Sequence, residues 1–125
     1  MKILLFGGTG TLGKELQTLS SEFICPSHAA LNIQDSEDVY DCINYYKPDL
    51  VIHAAAIIDN QKVEQHPIKA IATNIIGASN IAMHCSKFDV RLVYISTDYV
   101  YKGNKGNYRE TDEVSPANNY AWTKL

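Results

Sequence analysis

Apolar residues follow two different patterns along this chain. In four places they form short, nearly uninterrupted runs, at Ile3–Phe6, Glu22–Cys25, Asp49–Ala56 and Arg91–Thr97. Such runs predict β-strands of a parallel sheet that is covered on both faces. Between the runs, apolar residues recur every three or four positions, which predicts amphipathic helices. Because strands and helices alternate, we expect an α/β fold with right-handed crossovers and a doubly wound parallel sheet of about four strands.

The helical periodicity extends over three segments. The first follows the first strand, and its apolar face consists of Leu12, Leu16 and Leu19. The second begins after Asp35, a residue type that caps helix N-termini, and ends before Pro48. The third begins at His66 and Pro67, and proline suits the first turn of a helix. Its predicted apolar face consists of Ile68, Ile71, Ala72, Ile75, Ile76, Ala82 and Met83.

A glycine-rich turn joins the first strand to the first helix. Its glycines fit both G-x-G-x-x-G and G-x-x-G-x-x-G, in the strand-turn-helix context that these motifs require. Glycine lets the backbone turn tightly and approach a ligand. The helix N-terminus offers free N–H groups and a positive dipole end, which favour a pyrophosphate. We therefore predict a Rossmann-type fold that binds a dinucleotide through Gly7, Gly10, Thr11, Leu12 and Gly13.

The turn after the second strand is where the adenosine ribose lies in such folds. An acidic residue there binds the ribose 2′-hydroxyl, whereas a cation accepts a 2′-phosphate. Ser27 and His28 occupy this turn and suit a phosphate, although an exposed turn residue explains His28 equally well. Asn32 and Ile33 follow and are predicted to lie near the adenine. These residues favour NADP and leave NAD open.

The third strand ends in the small residues Ala54, Ala55 and Ala56. Small side chains at the carboxyl end of a parallel strand leave room for a ligand in the crevice there. His53 precedes them within the apolar run. A core histidine with its hydrogen bonds satisfied is a better interpretation of His53 than a catalytic one.

A second candidate site combines Thr97, at the end of the fourth strand, with Tyr120 and Lys124. The Y-x-x-x-K spacing places the tyrosine and lysine on one face of a helix. An ammonium beside a phenol lowers the tyrosine pKa, so that the tyrosine can exchange a proton with a carbonyl oxygen. The Thr97 hydroxyl is expected to bond the same oxygen. The Y-x-x-x-K spacing alone often occurs by chance. Here it follows a glycine corner and a fourth strand that ends in hydroxyl residues, and this order supports the interpretation as a catalytic site.

Composition and charge narrow the possible functions. The chain of 125 residues has a net charge of −3 and no basic run, which argues against nucleic-acid binding. It shows neither the ~20-residue apolar run of a membrane span nor a signal-peptide pattern. Cys25, Cys42 and Cys85 form no C-x-x-C pair and are interpreted as small core residues rather than metal or redox sites. We expect a soluble, cytoplasmic protein of one domain.

Taken together, these segments resemble the extended short-chain dehydrogenase/reductases, and among them the dTDP-4-dehydrorhamnose reductases. The resemblance runs through all 125 residues and is carried by the glycine corner, Ala54–Ala56, Ser96–Gly103, Tyr108–Asp112 with Pro116, and Tyr120–Leu125. It implies NAD(P)H-dependent reduction of the C4 keto group of a nucleotide-linked sugar. It also implies that Thr97, Tyr120 and Lys124 are catalytic, that Lys124 binds the nicotinamide ribose, and that Asn74 lies near the active site.

The chain departs from the family pattern in three residues and in its length. The family usually has Asn where His53 stands, Asp where Asn32 stands, and often Asp where Gln61 stands. Its members also continue beyond the Tyr120–Lys124 helix into a substrate-binding lobe. We therefore expect residues 1–125 to be the N-terminal portion of an NAD(P)-binding Rossmann domain, truncated after about four strands and lacking turnover alone. We expect it to form homodimers through an exposed sheet edge or helices.

A second function stays open. A relative with similar motifs, the regulatory subunit of methionine adenosyltransferase, suggests an NADP-binding regulatory or interaction module. An epimerase or dehydratase of the same superfamily is a lesser alternative, because the Ser96–Val100 segment resembles the reductases more closely.

Overall fold

The sheet has four parallel strands in the order β2-β1-β3-β4. A computed structural model describes all 125 residues. The strands are β1 (Ile3–Phe6), β2 (Phe23–Ile24), β3 (Leu50–His53) and β4 (Arg91–Tyr94). The predicted α/β fold with about four parallel strands is confirmed. Strands β2, β3 and β4 are shorter than the apolar runs that predicted them. The last residues of the third and fourth runs lie in loops that follow β3 and β4 at the carboxyl edge of the sheet.

Helices cover both faces of the sheet. They are α1 (Thr11–Leu19), α2 (Ser36–Tyr46), α3 (Asn60–Gln65), α4 (Pro67–Ala70), α5 (Gly77–Lys87) and α6 (Asn119–Trp122). A π-helical segment (Ile71–Ile76) joins α4 to α5, and a 3₁₀ turn spans Asp98–Val100. The chain reverses its direction across the sheet after β2, so right-handed crossovers place α1 on one face and α2 and α5 on the other. None of these helices combines the length and the apolar character that crossing a membrane requires.

The main core lies between the sheet, α2 and α5. Paired residues on neighbouring strands lie side by side on the face that α2 and α5 cover. For example, Leu4 on β1 pairs with Val51 on β3, which pairs with Leu92 on β4. Ten buried residues form the core cluster: Leu4, Phe6, Leu31, Ile33, Val39, Cys42, Ile43, Val51, Ile81 and Cys85. The interpretation of Cys42 and Cys85 as core residues is confirmed, and burial raises the pKa of both thiols to about 11.

The start of α2 is fixed by Asp35, as the sequence predicts. The Asp35 carboxylate accepts hydrogen bonds from Glu37 N at 2.8 Å and Asp38 N at 3.3 Å. Such an N-cap stabilises a helix by about 1 kcal/mol. With its first residue fixed, α2 turns Val39 and Ile43 into the core.

The long third helix differs from its predicted form. It is divided by the π-helical segment, whose wider turns change which side chains face the sheet. Ile68 and Met83 of the predicted apolar face are 83% and 54% exposed, whereas Thr73, Asn74 and Asn80 are buried. The predicted apolar face is therefore wrong, because polar side chains that find hydrogen-bond partners take the buried positions. Helix α3 was not predicted at all, since its sequence is mostly polar.

The corner between β1 and α1 is packed backbone against backbone. Gly7 has a φ of 96°, in the left-handed region that favours glycine, and a Cβ there would lie 2.5 Å from Ala55 N. A Cβ on Gly13 would collide with the Gly7 carbonyl oxygen and would lie 2.7 Å from Gly8 Cα. A Cβ on Gly10 would meet its nearest neighbour at 3.4 Å, which is ordinary contact. Close packing therefore requires glycine at positions 7 and 13 but not at position 10.

We predict that Gly13→Ala destabilises the chain while Gly10→Ala does not. The added methyl at position 13 forces backbone apart at the corner, and overpacking of this kind costs about 1–3 kcal/mol. Urea denaturation of the two variants and the parent chain measures the difference. Equal midpoints for Gly13→Ala and Gly10→Ala would contradict the packing described here.

We also predict that the chain self-associates, because large apolar side chains are exposed on the long helix and on β4, an edge strand of the sheet. Ile75→Lys tests the helix route and Val93→Lys tests the edge route; these residues are 42% and 41% exposed. Tyr45→Lys, at an 80% exposed position on α2, is the control. Light scattering after gel filtration gives the mass of each variant. A monodisperse monomer for the parent chain would overturn the prediction.

Candidate active site

The predicted site residues are distributed around the carboxyl edge of the sheet. The glycine corner follows β1, Ala54–Ala56 follows β3, and Thr97 lies beyond β4. The N-cap residue of α1 is Gly10, which has no side chain that could accept a hydrogen bond. The N–H groups in the first turn of α1 therefore have no capping acceptor. Ala54–Ala56 are half-buried and end in methyl groups. This edge therefore offers free backbone donors beside small side chains, which suits a phosphate group.

Gln17 is a residue of the corner that the sequence analysis missed. Its Nε2 donates hydrogen bonds to Gly8 O at 2.7 Å and to Gly13 O at 2.9 Å. The side-chain amide thereby ties the turn to α1 and holds the glycine backbone in place. Its position one helical turn after Gly13 is the signal that would have revealed it.

The predicted ribose turn after β2 lies at the surface. Ser27 and His28 are exposed, and neither side chain makes a hydrogen bond within the chain. Asn32 is exposed, and its Oδ1 accepts a hydrogen bond from Gln34 N at 3.1 Å. Ile33 is only 5% exposed, and its side chain belongs to the core. Three of the four residues predicted near the adenosine are thus accessible, while Ile33 offers only its backbone.

The structure brings Thr97 and Tyr120 together. The Thr97 hydroxyl donates to Asp98 Oδ1 at 3.4 Å and lies near the Tyr120 phenol, with no hydrogen bond between the two hydroxyl groups. Burial raises the pKa of Tyr120, the Thr97 hydroxyl lowers it by less, and Asp98 and Tyr99 raise it further. The net shift is upward from the ordinary tyrosine value. Thr97 Oγ1 also accepts a hydrogen bond from Tyr99 N at 3.3 Å, which fixes the start of the 3₁₀ turn. Tyr120 is therefore a protonated phenol next to a threonine hydroxyl.

Lys124 lies in a different environment from the predicted one. Helix α6 ends at Trp122, and a tighter turn follows it, in which Lys124 N donates to Ala121 O at 3.0 Å. Lys124 does not contribute to the pKa shift of Tyr120. The Lys124 Nζ lies 4.1 Å from the centroid of the Tyr94 ring, and the residue is 4% exposed. Burial lowers the pKa of Lys124 to about 8. The expected lowering of the Tyr120 pKa by Lys124 is therefore wrong for this arrangement.

Asn74 is a hydrogen-bonding centre between the elements of the site. It lies in the π-helical segment and is 1% exposed. Its Oδ1 accepts a hydrogen bond from Ile57 N at 2.8 Å, and its Nδ2 donates to Ile57 O at 2.9 Å and to Thr123 Oγ1 at 2.8 Å. Asn74 therefore joins the backbone of the loop after β3 to the Thr123 side chain at the end of α6, and these bonds satisfy its own buried amide group.

Two further hydroxyl groups hold the segment that carries Tyr120 and Lys124. Thr123 Oγ1 donates to Tyr120 O at 2.7 Å, and Ser96 Oγ donates to Lys124 O at 3.0 Å. The sequence analysis assigned no role to Thr123, because its importance depends on Asn74, 49 positions away. These bonds fix the backbone of a very short helix against β4 and the long helix.

His53 lies in the core, as predicted, but its hydrogen bonds are not satisfied. The residue is 1% exposed, and neither ring nitrogen has a hydrogen-bond partner. The ring stacks on Tyr94, with centroids 5.5 Å apart and planes at 29°, and meets Phe6 edge-on at 6.4 Å. Burial lowers the pKa of His53 to about 4, and the Lys124 charge acts in the same direction. His53 is therefore a neutral aromatic ring at neutral pH.

Known proteins are similar to this chain over its whole length. A family model described as RmlD substrate binding domain matches residues 1–125. The curated methionine adenosyltransferase 2 subunit beta of Bos taurus is 34% identical over 135 residues, covering 99% of this chain and 40% of that protein.

Solved structures of dTDP-4-dehydrorhamnose reductases are similar to this fold. The Clostridium acetobutylicum structure has a TM-score of 0.92 and 36% identity, covering 99% of this chain and 46% of its own. The Bacillus anthracis structure, in complex with NADP, has a TM-score of 0.93 and 32% identity, covering 99% of this chain and 47% of its own. The chain thus spans less than half the length of these relatives. The predicted resemblance is confirmed, and since the family model matches every residue, this chain belongs to the RmlD substrate binding domain family.

Proposed function

We propose that this chain is the cofactor-binding part of a reductase that converts the C4 keto group of a nucleotide-linked sugar into an alcohol, using NADPH or NADH. The observation that carries the proposal is the nearness of the Thr97 and Tyr120 hydroxyl groups at the sheet edge where the glycine corner lies. A carbonyl oxygen placed between two hydroxyl donors would be polarised and ready to receive a proton. The similarity to dTDP-4-dehydrorhamnose reductases supports the substrate class.

Several features of this chain fit a nicotinamide dinucleotide. At Gly7 and Gly13 the neighbouring backbone lies too close to admit a Cβ atom, and the first turn of α1 has no side-chain cap. Lys124 is a buried ammonium that takes part in none of the ion pairs of the chain. We propose that the corner holds the pyrophosphate, that Ser27 and His28 lie beside the ribose 2′-position, and that Lys124 donates to the nicotinamide ribose. Asn32, Ala54–Ala56 and Asn74 line or support the same crevice.

The proposed mechanism divides the reduction between the cofactor and the chain. NADPH or NADH, when bound, supplies the hydride to the C4 carbon. Tyr120 Oη supplies the proton to the carbonyl oxygen, and its raised pKa keeps it protonated at neutral pH. Thr97 Oγ1 donates a hydrogen bond to the same oxygen and holds it in position. This transfer leaves Tyr120 as a phenolate, while Lys124 keeps its contact with the Tyr94 ring.

A second candidate is an NADP-binding regulatory module. The observation that favours it is the position of Lys124, whose ammonium lies over Tyr94 and does not lower the Tyr120 pKa. The 34% identity to methionine adenosyltransferase 2 subunit beta is consistent with it. In such a module the same crevice holds NADP without turnover.

We predict that the chain binds NADPH more tightly than NADH, because His28 and Ser27 face the 2′-position. His28→Asp places a carboxylate there, which should reverse the preference and weaken NADPH binding about tenfold or more through repulsion of the 2′-phosphate. His28→Gln removes the imidazole without adding charge and is the matched control. Titration followed by the fluorescence of the reduced cofactor measures each affinity. An unchanged NADPH:NADH ratio in His28→Asp would exclude this turn from the ribose site.

We predict that Tyr120→Phe lowers kcat at least about 100-fold, the usual contribution of a positioned acid. Cofactor affinity should stay within about threefold of the parent, since the ring is kept. Tyr45→Phe, at an exposed position on α2, is the control and should change neither. Cofactor oxidation with a nucleotide-linked 4-keto sugar is the assay. Saturable NADPH binding without any turnover in the parent protein would favour the regulatory module instead.

A further inference from the structure

The Lys124 ammonium has one partner in this structure, the face of the Tyr94 ring. Lys124 Nζ donates no hydrogen bond to an oxygen of the chain and takes part in none of its ion pairs. It lies 4.1 Å from the Tyr94 ring centroid, within the range of a cation–π interaction. Burial penalises the charged form of an ammonium, and a ring face within this distance offsets part of that penalty.

The Tyr94 ring is fixed by the sheet rather than by α6. Phe6, His53 and Tyr94 are register partners across β1, β3 and β4, so the three rings form a row at the ends of these strands. Tyr94 stacks on His53 at 5.5 Å, and His53 meets Phe6 edge-on at 6.4 Å. The ring that receives the ammonium is therefore anchored to the most buried strand pair of the fold.

The charges around Lys124 are compatible with this contact. The titratable groups packed near it are His53 on β3, Tyr94 on β4, Tyr120 on α6 and, beyond Tyr120, Asp98. A charged imidazole at position 53 would repel the ammonium, but burial keeps His53 neutral at neutral pH. From the long helix, Asn74 reaches the same segment and carries no charge.

We propose that Tyr94, anchored by its stack on His53, is a positioning residue that holds the Lys124 ammonium in the crevice and keeps it charged. The inference rests on the proposed role of Lys124 toward the cofactor. Neither Tyr94 nor His53 touches the reacting atoms in the proposed mechanism. Their effect reaches the reaction through the location and the protonation of one lysine.

The test is the pKa of Lys124 in the cofactor-free chain, followed by NMR of the lysine side chain as the pH is raised. Lys124→Arg assigns the signal. Tyr94→Phe keeps the aromatic face and should leave the pKa within about 0.2 units. Tyr94→Leu removes the face while keeping an apolar side chain, and it should lower the pKa by about half a unit. No change, or a rise toward the ordinary lysine value, in Tyr94→Leu overturns the proposal.

A second series keeps the shape of the ring in case Tyr94→Leu fails to fold. Phenylalanines with increasing fluorine substitution at position 94 weaken the negative ring face step by step. The Lys124 pKa should fall in the same order, and a flat series overturns the proposal.

Cofactor binding supplies the functional readout. A protonated Lys124 is the donor, so NADPH affinity should be lost as the pH rises through the Lys124 pKa of about 8. Tyr94→Leu should move that midpoint down by about half a unit, and an unmoved midpoint overturns the positioning role. If NADPH does not bind at all, the proposed function fails, while the lysine titration still decides the contact between Tyr94 and Lys124.

Discussion

The structure depends on close backbone packing at the corner between β1 and α1. Gly7, Gly13 and the Ala54–Ala55 backbone approach one another so closely that a Cβ on either glycine would overlap main-chain atoms. This packing brings the carboxyl end of β1 against the loop after β3, with α1 starting directly above both. The same contact that joins helix to sheet therefore leaves uncapped N–H groups at the mouth of the crevice.

The second half of the site is held by polar side chains instead of close backbone contact. Helix α6 has four residues, too few to be stable by itself. Asn74 bonds Thr123, Thr123 bonds Tyr120 O, and Ser96 bonds Lys124 O, so three side chains fix this segment from two directions. The π-helical segment supplies the key position, since it turns Asn74 inward from an otherwise apolar helix. Tyr120 is thereby kept beside Thr97.

Burial, more than ion pairing, sets the protonation of the site. Burial raises the pKa of Tyr120. It lowers the pKa of Lys124 to about 8 and that of His53 to about 4. At neutral pH the site therefore contains a neutral phenol, a charged ammonium and a neutral imidazole. His53 stacks on Tyr94, and the Tyr94 ring lies under the Lys124 ammonium.

The sequence alone determined the α/β class, the alternation of the four strands with helices, the glycine corner and the nearness of Thr97 to Tyr120, because these follow from short-range periodicity and from the edge that parallel strands share. It did not determine the face of the long helix, where a π-helical segment exposes Ile68 and buries Asn74. Nor did it reveal that Lys124 contacts Tyr94 or that Thr123 bonds Asn74. These contacts join residues far apart in the chain, and only the packed structure decides which partner a buried polar group finds.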